Sequence, residues 1–112
     1  MLIKVRAVQD GELILEEVEA TELKGFKDMA LAHIGKAWYI YDIPTGLKII
    51  SATSKALALE IIEKRKMEVD FARQTSLYQK RIKEFEAMKK LWFKLVYMAK
   101  KENLLTNSII RK

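Results

Sequence analysis

Residues 71–99 read FARQTSLYQKRIKEFEAMKKLWFKLVYMA, and within them Phe71, Tyr78, Phe85, Trp92 and Ala99 recur at every seventh position. Ile82, Met88, Leu95 and Val96 fall three or four residues from those positions, so the apolar groups trace one stripe along a helix. Arg73, Lys80, Lys83, Lys90, Lys94 and Lys101 are separated by sums of threes and fours and form a cationic stripe on the far side. The spacing predicts a two-faced rod, its rings covered and its ammonium groups turned to water.

Burying a large ring stabilises by about 1.5 to 3 kcal/mol, so something must cover Phe71, Tyr78, Phe85 and Trp92. One cover is the chain's own sheet or preceding helix. The other is a second copy, because a period of seven favours helices that wrap one another, although aromatic rings are bulky for a two-stranded coiled coil. A homodimer is the expected assembly, with Phe71, Tyr78, Phe85, Trp92 and Phe93 as the partner-binding residues. The segment from Leu91 to Ala99 is apolar nearly all round, interrupted only by Lys94. Nine helical residues span only about 14 Å, too short to cross a bilayer; a helix of that kind lies between other protein elements or in a membrane surface.

Towards the N-terminus of the rod, Thr53 or Ser54 caps a helix whose Leu57, Ala58, Ile61, Ile62 and Val69 share one face. Met67 and Phe71 fall outside that face, so the stripe has rotated before the sevenfold repeat begins, which means either a break or a second buried surface. Ser76 and Gln79 have capping-box spacing, which predicts an interruption near Thr75-Ser76. Beyond Asn103, residues 104–112 show no clear period and read as a short irregular tail, or one docked on a neighbour.

The first half is strand-like. Leu2 to Val8 is rich in β-branched residues, Asp10-Gly11 supplies a tight turn, and Glu12 to Val18 returns as a hairpin. Residues 29–34 suit either a strand or part of a helical face, and the alternation of Met29, Leu31 and His33 favours the strand. Ala37 to Ile43 carries Trp38, Tyr39, Ile40 and Tyr41, then Pro44 and Gly46 mark a turn and Leu47 to Ile50 returns. The expected fold is α+β: an antiparallel meander of four to five strands followed by one or two long C-terminal helices. No linker or repeat divides it, so residues 1–112 read as one domain, β-rich through 53 and helical over 54–103.

The formal net charge of +6 is unevenly placed. Through Thr53 eight acidic residues stand against six basic ones, whereas from Ser54 onward fifteen basic residues stand against seven acidic. A basic helical half points to an acidic partner. A lysine line that long can neutralise several phosphates with little base selectivity, since only Gln79, Arg81 and Asn103 lie near enough to read base edges. The function expected is therefore that of a small basic accessory protein contacting nucleic-acid phosphates through Arg73, Lys80, Lys83, Lys90, Lys94 and Lys101. The alternative is an adaptor or inhibitor that grips another protein through the apolar Leu91–Ala99 segment, with the exposed groups near Trp92 and Phe93 as anchors and the lysines as steering charge.

Other chemistries find little support. There is no cysteine, hence no disulfide or thiolate metal site, and the chain reads as cytosolic. His33 is the only histidine and has no carboxylate at metal-ligand spacing. Glu16, Glu17 and Glu19 read as solvated edge charges beside Lys4 and Lys24. The glycines lack a phosphate-binding spacing and the serines lack a base, so no catalytic residue, metal or cofactor is expected. Trp38, Tyr39 and Tyr41 raise base stacking on a sheet, but alternation places Tyr39 and Tyr41 on one face and Trp38 with Ile40 on the other, so at most one set is exposed.

Overall fold

The computed structural model describes residues 1–110, with side chains through Lys94. The roles expected of Leu95, Val96, Ala99, Lys101 and Asn103 lie outside the described side chains. Six strands form two antiparallel sheets, β1(Leu2–Gln9)–β2(Glu12–Glu19) and β3(Thr21–Glu22)–β4(Met29–Ile34)–β5(Ala37–Asp42)–β6(Leu47–Ala52). Three helices follow, α1(Lys55–Lys64), α2(Lys66–Ala72) and α3(Ser76–Ile110). The α+β class is as expected. The single meander is not: there is one more strand, and the hairpin stands as a sheet of its own.

The hairpin turn follows from its two central residues. Gln9 pairs with Glu12, and both Asp10 (φ 52°) and Gly11 (φ 80°) adopt the left-handed conformation that a tight two-residue turn needs to match strand twist. The hairpin then lies over one face of the larger sheet. Ile3, Val5 and Val18 pack on Ala30, Ala32 and Tyr41, and the two small alanines let the layers approach. On the opposite face Met29, Leu31, Ile40 and Ile50 pack on Ala58 and Ile62 of α1. Strand β4 is thus buried on both sides over its first four residues, which is why its sequence alternates so weakly.

Ser54 Oγ accepts the Leu57 N–H at 3.1 Å and starts α1, as the sequence suggested. The helix breaks at Arg65, whose N–H is shared between the carbonyls of Ile61 and Ile62. Helix α2 buries no residue fully and leaves Met67 and Phe71 86% and 73% exposed. The second interruption falls at residues 73–75, close to the expected place. Its cap is Thr75, whose hydroxyl accepts the Tyr78 N–H at 3.3 Å, rather than Ser76. Helix α3 then runs to Ile110, so residues 104–110 continue it and are not an irregular tail.

Two contacts seat α3. The first is Asp42, 3% exposed at the end of β5. Its carboxylate accepts the Thr45 N–H and hydroxyl, the Arg73 guanidinium and the Tyr78 hydroxyl, the last at 3.0 Å. The second is Phe85, 1% exposed, whose ring lies against Gly46 (φ 67°) so closely that a Cβ there would run into it. Arg6 braces the same corner: its Nε donates to the Thr45 carbonyl and its Nη2 to the Arg81 carbonyl, both at 2.7 Å.

Two outcomes are expected. Gly46→Ala combines backbone strain with overlap on Phe85 and should cost roughly 2 to 4 kcal/mol in urea unfolding. Gly25→Ala, at φ 82° with open space around it, carries the strain alone and should cost only about 1 kcal/mol; equal losses would refute the Phe85 seat. The Tyr78 hydroxyl is pushed from 10.0 up to about 12, first by burial and then by the Asp42 carboxylate it bonds. A phenol whose folded pKa is raised contributes stability that is complete below pH 10 and is lost as pH rises through 12. Tyr78→Phe should therefore flatten the decline of stability over that interval, leaving the share due to Tyr41, whose pKa burial also raises.

Candidate functional site

At about 100° per residue, Lys80, Lys83, Lys90 and Lys94 fall within roughly 80° of arc on α3 and extend over about 21 Å. All four are exposed, and none forms a salt bridge among the described residues. Tyr78, Phe85 and Trp92 occupy the roughly opposite arc, where Tyr78 and Trp92 are half-buried and Phe85 is buried. The rotation of the helix is therefore set by what its rings touch, and the lysine line is the consequence.

The structure separates the predicted residues at the break before α3. Phe71 and Arg73 precede it, so neither shares the helical phase of the positions seven residues on. Phe71 points into solvent. The Arg73 guanidinium turns to the sheet instead of joining the lysine line: it is ion-paired with Asp42 and donates to the carbonyls of Lys27 and Asp28. The aromatic edge expected to face a second copy is, at Tyr78 and Phe85, covered by the chain's own sheet. Phe93 is 67% exposed and lies off the buried arc. Lys101 is outside the described side chains.

Neighbouring cations are occupied in other ways. Lys89 Nζ sits 4.7 Å from the Phe85 ring centroid and Lys4 Nζ sits 4.3 Å from that of Trp92. Arg81 donates to both carboxylate oxygens of Glu84, and this bond holds the Glu84 carboxyl below the usual carboxylate range. The anionic groups nearest the line are thus Glu84, already neutralised, and Glu86 at its margin.

Beside the line runs an apolar groove of about 620 Å³ between β2 and α3, lined by Leu13, Leu15, Met88, Leu91 and Trp92. Base stacking on the sheet finds no free ring in the Tyr39 and Tyr41 pair: Tyr41 is buried beneath the hairpin and Tyr39 carries Lys48 Nζ at 4.2 Å. Trp38 is stacked at 4.0 Å on His33, its cross-strand partner.

Sequence reasoning missed Asp42, Thr45, Gly46 and Arg6, which fix the helix; a charged residue ending an apolar strand before Pro-Thr-Gly was the available signal. Among the described residues, no three His, Asp or Glu side chains are grouped to hold a metal, and no helix is long and apolar enough to cross a membrane. No family model matches the chain, and comparison with curated proteins and with solved structures gives no match.

Proposed function

We propose that the chain is a non-enzymatic binding protein that contacts nucleic-acid phosphates through Lys80, Lys83, Lys90 and Lys94. The observation that carries this reading is the placement of four exposed ammonium groups, without an ion-pair partner among the described residues, along one side of a helix whose rotation is held by buried contacts on the other. The helix fixes the spacing of the lysine stems; each flexible ammonium loses side-chain freedom on meeting a phosphate, and the counterion released there offsets that loss. The line itself offers point charges; beside it Arg81 is held by Glu84 and Gln79 supplies a single exposed amide, so duplex sequences are bound with little discrimination.

A second reading rests on the exposure of Leu91 and Phe93 beside the β2–α3 groove, where a protein partner would find apolar anchors next to steering charge. Substituting Leu91 and Phe93 by the neutral polar residue Asn separates the two. It leaves phosphate binding intact under the first reading and abolishes the activity under the second.

Binding of a fluorescent 20-base-pair duplex, followed by anisotropy, should weaken with salt at a log–log slope of about −3 to −4 if each of four lysines meets one phosphate. Replacing Lys80, Lys83, Lys90 and Lys94 together by Gln should remove that binding without changing the far-ultraviolet spectrum. Replacing the exposed Lys27 and Lys36 should not. Absence of binding at 20 mM salt, or a loss equal in both variants, would refute the proposal.

A further inference from the structure

The pairing of the hairpin leaves one sheet edge free. Gln9 and Glu12 flank a two-residue turn and bond each other, so by alternation Ile14, Glu16 and Val18 turn their backbone groups to β1. Ala20 keeps that phase and gives its N–H to the Met1 carbonyl at 2.8 Å. Leu13, Leu15 and Glu17 therefore aim N–H and C=O away from β1, and these groups have no main-chain partner among the described residues. The outer edge of β1 differs, because its Arg6 N–H donates to the Gly46 carbonyl at 2.8 Å.

The apolar groove between β2 and α3 runs along that free edge. Successive residues of a strand point to opposite faces, yet Leu13, Ile14 and Leu15 all line the groove, so its wall is the margin of the strand and not one face. Leu15 lies opposite Arg6, whose guanidinium reaches the Arg81 carbonyl, which puts Leu13, Leu15 and Glu17 on the α3 side of the hairpin. Met88 and Leu91 form the far wall, and Leu13 and Leu91 are 55% and 59% exposed. A trough of about 620 Å³ thus borders a row of peptide groups that point away from their own hairpin.

Charge decides the occupant. Strand β2 reads ELILEEVE and holds no cation, and Glu12, Glu16 and Glu17 are exposed without an ion-pair partner among the described residues. Edge-to-edge pairing of two copies would set these carboxylates against each other, which disfavours the chain itself as the partner. We infer that the β2 edge takes an extended, basic and apolar segment of a partner protein, added antiparallel from Glu17 to Glu12. Its residues opposite Leu15 and Leu13 are apolar, lie on the α3 side and fill the groove towards Met88 and Leu91. Those opposite Glu17, Glu16 and Glu12 are basic by cross-strand charge pairing. From its N-terminus the segment reads basic, basic, apolar, uncharged, apolar, basic. Main-chain bonds to Leu13, Leu15 and Glu17 supply affinity, and alternate side chains supply selectivity. This gives the groove an occupant and does not rest on the phosphate reading.

The test uses the full chain and a dye-labelled Lys-Arg-Val-Thr-Ile-Lys-amide, read by anisotropy and by the Leu13 and Leu15 amide resonances. In the inferred register the valine N–H bonds the Leu15 carbonyl, whereas the threonine N–H points to solvent. The probe and its N-methylthreonine form should therefore bind alike, and roughly fivefold or more tighter than the N-methylvaline form or the scrambled Val-Lys-Thr-Arg-Lys-Ile. Leu91→Asn should weaken binding of the probe. The four-lysine Gln variant should bind it unchanged, which separates this edge from the phosphate-binding line. Equal affinity for the two N-methylated forms, no binding at millimolar peptide, or dimerisation of the chain through Leu13 and Leu15 in place of peptide binding would each overturn the inference.

Discussion

A buried carboxylate holds this molecule together at the point where its two halves meet. Asp42 ends a strand, has almost no exposure, and cannot remain charged there without partners. It finds them in Thr45 of its own turn, Arg73 after α2 and Tyr78 at the start of α3. Groups distant in sequence thereby converge on one anion, and no buried side-chain nitrogen or oxygen among the described residues is left without a partner. Removing the Arg73 guanidinium would strand the Asp42 charge in a site of low polarity and cost about 3 to 5 kcal/mol, far more than an exposed pair such as Lys64–Glu60 contributes.

The consequences reach the surface. With Tyr78 tethered and Phe85 seated on Gly46, seven residues apart, α3 has only one rotation open to it. The opposite side of that rotation carries Lys80, Lys83, Lys90 and Lys94. The cationic line is thus a product of packing on the far face. A change in the core at Gly46 is expected to disturb the surface through the same lever.

Much of this was legible in the residues. Asp10-Gly11 announced its hairpin because Asp-Gly readily takes the pair of positive φ angles that one of the two tight hairpin turns needs, and the alternation of Tyr39 and Tyr41 against Trp38 and Ile40 matched their two faces. Ser54 marked the start of α1. The misreadings have physical causes. A stripe drawn by sevens from Phe71 and Arg73 crossed a helix break, and a break resets rotation, so those two residues went elsewhere. The break at Arg65 carries neither proline nor glycine, and its one sign was that Met67 and Phe71 fell outside the face of Leu57, Ala58, Ile61, Ile62 and Val69. Strand β3 is two residues long and has no pattern to read. That α1 covers Met29 and Leu31 of β4 and leaves His33 exposed against Trp38 is a matter of tertiary placement that spacing does not encode.

The chain has no cysteine, so a single one introduced along α3 reports its own surroundings through its rate of reaction with a maleimide. Lys83→Cys, Ala87→Cys and Lys90→Cys should react at the rate of an unfolded control, while Ile82→Cys and Met88→Cys should be slowed at least tenfold, giving a rate that oscillates with helical period. Uniform rates along these positions, or fast reaction at 82 and 88 with protection at 83 and 90, would contradict the rotation on which the lysine line depends.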